Sequence, residues 1–105
     1  MSFDAKTYKD LIVWQKSVDF VSVIYDITKS FPNSEQFGIT NQIRRASVSV
    51  SLNIAEGWGR KSNKSFAQFL KISRGSLYEV ETISIISNKL KYLNNEQFEL
   101  IRISV

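Results

Sequence analysis

Apolar residues that return every three or four positions constrain this chain more than any other feature. With residues placed about 100° apart, as on an α-helix, Ile39, Ile43, Ala46, Val50 and Ile54 fall on one line. An earlier segment carries two such stripes, Leu11, Trp14, Val18, Val21 and Tyr25 on one side and Ile12, Val13, Phe20, Val23, Ile24, Ile27 and Phe31 on another. Gln15, Asp19, Ser22 and Asp26 are left as a narrow polar strip. Further on, Phe69, Ser76, Ile83 and Leu90 recur at heptad spacing, accompanied by Ile72, Glu79, Ile86 and Leu93. That is a helix seam interrupted by Ser76 and Glu79. Gly75 lies beside it, and because a mid-helix glycine costs about 1 kcal/mol against alanine, close helix approach is expected there. With one proline and four glycines in 105 residues, the turn formers needed for an all-β sandwich or barrel are missing.

Start and stop signals divide the pattern into four helices. The first is expected from about Tyr8 to Ser30, opened by Thr7 with Asp10 as a capping box and stopped by Pro32 after Phe31. The second runs from about Glu35 to Glu56 with Ser34 as N-cap. Gly57-Trp58-Gly59-Arg60 then ends it, the glycines supplying positive φ. The third covers about Asn63 to Tyr92, capped by Ser62 or Ser65, and Asn94 with Gln97 opens a short fourth helix. Short connections between long helices make neighbours antiparallel. The expected fold is all-α, an antiparallel up-and-down four-helix bundle forming a single domain over residues 1–105.

Function is bounded first by what is missing. There is no cysteine and no histidine, so disulfides, Cys/His zinc sites, a cysteine nucleophile and a histidine base are excluded. Glu79 and Glu81, two positions apart on a helix, point to different sides and do not make an acid–base pair. No enzyme, metal or cofactor is expected. The N-terminus has no signal-peptide pattern and no run approaches a membrane span, which predicts a soluble protein of the cytoplasm.

The net charge of +4 is unevenly spread. Between positions 41 and 75 stand Arg44, Arg45, Arg60, Lys61, Lys64, Lys71 and Arg74 against Glu56 alone, a net of +6 that leaves −2 for the rest. Such a concentration suits a polyanion. Arg60, Lys61 and Lys64 flank a helix start, with Lys71 and Arg74 beyond, and would bind RNA or DNA phosphates without reading bases. Arg44 is a further candidate. Of the adjacent arginines, Arg45 is the one expected in structural ion pairs with Glu56, Glu79 or Glu81. Trp58 is either a packing residue or a stacking platform for a base. Two apolar faces on one helix exceed what a four-helix monomer buries, so Val48, Leu52, Phe20, Ile24 and Ile27 are expected in an oligomer interface.

Several phrases, in order, carry a family likeness: Tyr8-Lys9-Asp10-Leu11-Ile12-Val13-Trp14-Gln15-Lys16-Ser17, Phe31-Pro32, Phe37-Gly38-Ile39-Thr40, Gln42-Ile43-Arg44-Arg45-Ala46, Asn53-Ile54-Ala55-Glu56-Gly57-Trp58-Gly59-Arg60 and Gly75-Ser76-Leu77-Tyr78-Glu79-Val80-Glu81-Thr82. The chain resembles the four helix bundle proteins first noticed in intervening sequences of bacterial 23S ribosomal RNA genes, often labelled ribosomal-protein-like. The accessory variability determinant of diversity-generating retroelements is a relative. The resemblance implies a homopentamer with a central channel. For the retroelement relative it implies binding of nucleic acid and a reverse transcriptase. The family's last helix usually runs longer than the one read here, which bears on how Phe98 and Ile101 pack. The function expected is therefore a homo-oligomeric, nucleic-acid-associated accessory protein. The alternative is a protein–protein adaptor or structural ring with no nucleic-acid ligand.

Overall fold

A computed structural model describes residues 5–105. Its helices are α1 (Ile12–Thr28), α2 (Ile39–Gly59), α3 (Asn63–Lys89) and α4 (Asn95–Ser104). Local signals and tertiary packing share control of where they begin and end. The Thr7–Asp10 capping box forms as expected, the Thr7 hydroxyl accepting from the Lys9 amide at 3.1 Å and the Asp10 carboxylate from that of Thr7 at 3.2 Å. It closes only a single 3-10 turn, because Leu11 is extended (φ −75°, ψ 126°). This break turns Leu11 into a cluster with Val50, Ile54 and Phe66, and burial there outweighs one more turn of helix.

The second helix starts at Ile39, later than the expected Glu35, and Ser34 does not cap it. Asn33–Glu35 instead forms a 3-10 turn. The Glu35 carboxylate accepts from the Ile39 amide at 3.3 Å and from the Tyr92 hydroxyl at 3.0 Å, tying this helix end to the α3–α4 corner. At the other end α2 continues through both glycines. No glycine in the described residues has positive φ; the left-handed residues are Lys61 (φ 57°) and Lys91 (φ 64°). The close approach expected at Gly75 is found at Gly57 instead, and the positive φ expected of Gly57 and Gly59 falls to Lys61. A Cβ on Gly57 would lie 2.6 Å from the Phe69 Cβ, so this glycine permits α2 and α3 to approach, whereas nothing lies within 4 Å of a Cβ on Gly75.

α3 is capped by Ser62, whose hydroxyl accepts from Ser65 at 3.1 Å. It ends in a Schellman motif, with Tyr92 N–H to Ser87 C=O at 2.8 Å and Lys91 N–H to Asn88 C=O at 3.0 Å. The Asn94–Gln97 capping box opens α4 reciprocally, at 2.7 and 3.1 Å.

α2 is the central element. It packs along α3 on one side and α1 on the other, while no Cα of α1 comes within 8 Å of α3. α4 enters the gap between those two at one end, where its Ile101 joins Phe20, Ile24, Ile27, Phe31, Ile43, Ala46, Val80 and Leu93. Serines hold the close helix contacts: Ser17 with Ser51 at 2.8 Å, Ser76 with Ser49 at 3.0 Å, and Ser73 donating to the Val50 carbonyl at 3.0 Å. Each small side chain lets the backbones approach and leaves its own hydroxyl satisfied.

Two packing expectations need correction. Phe20, Ile24 and Ile27, expected at an oligomer interface, lie inside the protomer core, because they face the junction of α1 with α2 and α4. The heptad seam of α3 is not its buried stripe. Phe66, Ser73, Ser76, Val80, Ser84 and Ser87 are buried, whereas Ile72, Ile86 and Leu90 are exposed.

Candidate functional site

The basic segment lies where α2 hands over to α3. Arg60 closes α2, Lys61 makes the turn in a left-handed conformation, and Ser62 caps α3, leaving the amides of Asn63 and Lys64 directed out of the helix end. Lys61, Lys64 and Lys71 are exposed and enter no ion pair among the described residues. Lys64 and Lys71, seven residues apart, lie nearly on one line along α3.

The other expected phosphate contacts separate from this line. Arg60 bonds the Glu56 carboxylate through Nε at 3.1 Å and a terminal nitrogen at 2.8 Å, and its guanidinium stands 5.3 Å from the Phe69 ring centre. Its charge is largely answered within the protomer. Arg74 is turned about 60° from Lys71. It borders, with Lys16 and Val13 of α1, the open end of the gap between α1 and α3.

Arg44 is removed from the phosphate set. Its Nε donates to the Thr28 hydroxyl at 2.8 Å, and its guanidinium lies 4.6 Å from the Tyr25 ring centre. It clamps α1 to α2, so the structural arginine of the pair is Arg44, not Arg45. Arg45 is exposed and makes no ion pair among the described residues, since Glu56 is taken by Arg60 and neither Glu79 nor Glu81 is bonded to it. Glu81 faces α4, where it adds to the field that Glu99 exerts on Arg102; Arg102 in turn holds the Glu99 carboxyl below its usual range. Trp58 is a packing residue, half-buried and edge-on to Phe66 at 6.2 Å.

The displaced seam of α3 lines a broad open groove against α2, about 1150 Å³ in volume. Ile72, Ile83 and Ile86 supply its apolar part, Arg45 and Glu79 stand in it with opposite charges, and Gly75 leaves room for a close approach. Sequence reasoning identified the seam and missed the groove. The signal was present in Ser73, Ser84 and Ser87, whose spacing marks a buried stripe that an apolar-only reading passes over. On the outer side of α2, Leu52 is 64% exposed and Val48 half-buried. The described residues form no helix long and apolar enough to cross a membrane.

Comparison with known proteins accords with this architecture. A crystal structure of a protein of unknown function from the S23 ribosomal protein family of Bacteroides thetaiotaomicron is similar, with a TM-score of 0.80 and 28% identity over 89% of this chain and 87% of that one. No curated protein matches at a significant level. The family model described as 23S rRNA-intervening sequence protein matches residues 9–104, and with nearly the whole chain inside that match, the protein belongs to this family.

Proposed function

We propose that the protein is a homo-oligomeric accessory protein of the bacterial cytoplasm that binds RNA or DNA through phosphates, with no catalytic role. The observation that carries the reading is the set of Lys61 and Lys64 at the start of α3 with Lys71 about two turns further along it, three exposed cations in no ion pair among the described residues. Phosphate contacts of this kind are electrostatic and independent of sequence. Self-association is supported by exposed Leu52, Ile72 and Ile86, large side chains that gain burial only against another surface. Five copies is the number the family resemblance implies. Around such a ring the lysine line would repeat, and weak contacts would combine through multivalency.

The test is a fluorescence-anisotropy titration with structured RNA, single-stranded DNA and duplex DNA at low and physiological salt. Binding is expected to fall steeply with salt and to be lost in the triple variant Lys61→Glu, Lys64→Glu, Lys71→Glu. No binding at low salt overturns the nucleic-acid reading. Light scattering tests the assembly: Leu52→Glu should lower the mass, and an unchanged mass removes that face from the contact. The second reading, an adaptor or structural ring, is favoured by the groove between α2 and α3, whose lining of apolar side chains and charges of both signs suits protein better than phosphate. It predicts assembly without polyanion binding.

A further inference from the structure

Phe37 is 88% exposed, more than any other large apolar side chain among the described residues. It stands on a braced turn just before α2. The Gly38 amide donates to the Glu35 carbonyl at 3.0 Å, and the Gly38 carbonyl accepts from the Gln42 amide at 3.0 Å. The Glu35 carboxylate, bonded to the Ile39 amide and the Tyr92 hydroxyl, fastens the turn to the α3–α4 corner. A ring presented on so fixed a turn loses little freedom when it is covered, which is how an aromatic anchor gains affinity.

The same chain carries a hollow that suits such a ring. Where Ser76 meets Ser49, the groove between α2 and α3 is floored by Ser49, Gly75 and Ser76, with Ile72 and Ile83 as apolar borders along α3. Nothing lies within 4 Å of a Cβ on Gly75, and the Ser49 and Ser76 hydroxyls already bond each other at 3.0 Å, so the hollow recognises apolar shape. None of its lining belongs to α4 or to the gap between α1 and α3 that α4 enters. The charges are complementary as well. Arg45 and Glu79 stand in the groove, while the end of the bundle that bears Phe37 carries Glu35 and the exposed Lys89 and Lys91, neither lysine in an ion pair among the described residues. Ten residues of α2, about 15 Å, separate Ile39 from Ser49, so Phe37 cannot reach the hollow of its own protomer.

We infer that Phe37 of one copy of the chain seats in the hollow over Gly75 and Ser76 of a second copy. The inference rests on the self-association proposed above and specifies the contact that makes it. Knob and hollow are different parts of the surface, so the contact passes from copy to copy and closes into a ring, whereas a surface that meets only itself stops at two.

The test combines light scattering with crosslinking of the full chain. Phe37→Ser should leave the helical circular dichroism of the protomer unchanged, since so exposed a ring packs little within it, and should weaken association by about thirtyfold or more, as expected for loss of a buried aromatic anchor. Because the chain has no cysteine, Gln36→Cys in one copy and Gly75→Cys in another each supply a single thiol. Co-expressed and treated with a short bismaleimide, the two should give a crosslinked dimer containing one of each. Its yield should collapse when Phe37→Ser is added to the Gln36→Cys copy. A monomeric wild type overturns the inference together with self-association. An assembly indifferent to Phe37→Ser, one that gives no mixed crosslink, or one that crosslinks Gln36→Cys copies only to each other overturns the inference and leaves self-association standing.

Discussion

Alanine at Gly57 and at Gly75 should change stability in opposite directions, although both glycines sit inside long helices. Helix propensity alone favours alanine by about 1 kcal/mol at either position. At Gly57 the added Cβ would stand 2.6 Å from the Phe69 Cβ and 3.1 Å from the Phe66 ring. Carbon atoms in good contact are about 3.5–4.0 Å apart, so α2 and α3 would have to separate by roughly 1 Å where they cross. The Phe69 Cβ is fixed to backbone and has no rotamer by which to move away. Overpacking of this kind costs about 1–3 kcal/mol, and the upper part of that range applies, leaving Gly57→Ala destabilised by about 1–2 kcal/mol after the propensity gain. At Gly75 nothing lies within 4 Å, so only the propensity gain remains and the protomer should be stabilised by about 0.5–1 kcal/mol.

Urea denaturation at several protein concentrations measures both and separates folding from assembly. A Gly57→Ala midpoint at or above the wild type would refute the close-approach argument. Gly75 has a second readout, since it lines the same groove as Ile72 and Ile86, whose exposure supports self-association. A variant more stable per protomer yet smaller by light scattering would locate a subunit contact over that glycine.

Replacing Lys91, left-handed at the C-terminal end of α3, by glycine should stabilise the chain by about 0.5–1 kcal/mol, measured as a rise in thermal midpoint. Arg44→Ala should cost about 1.5–3 kcal/mol through the lost charged hydrogen bond to Thr28 and the stacking on Tyr25. Arg45→Ala should change protomer stability by less than about 0.5 kcal/mol. The Tyr92 phenol is held above its ordinary pKa, chiefly by its hydrogen bond to Glu35 and then by burial and the nearby carboxylate charge. Its contribution is full below the unfolded value of about 10 and is lost as pH rises through the higher folded value. Denaturation midpoints for wild type and Tyr92→Phe should therefore converge as pH rises above about 10; parallel curves would refute the coupling.

What was legible in the sequence was mostly local. Thr7–Asp10, Ser62 and Asn94–Gln97 are caps whose partners lie within three residues, and all three form. What was not legible depends on distant partners. The break at Leu11 follows from a pocket built by Val50, Ile54 and Phe66, and the choice of Arg44 over Arg45 follows from Thr28 and Tyr25 on another helix. The α3 stripe was misjudged by about one position because three of its buried members, Ser73, Ser84 and Ser87, count as polar in any hydropathy pattern. Serine suits that stripe because it is small, and Ser73 and Ser84 satisfy their hydroxyls on the carbonyls of Val50 and Val80.

The seam along α2 and α3 connects these features to assembly. It contains Arg45 and Glu79, so it offers both signs to another copy of the same surface or of its neighbour, as self-assembly requires. Its apolar members Ile72 and Ile86 stay exposed because the buried face of α3 is the serine stripe beside them. Glu79→Lys should therefore alter the mass of the assembly by light scattering while leaving the helical circular dichroism of the protomer unchanged. An unchanged mass would remove the seam from the subunit contact.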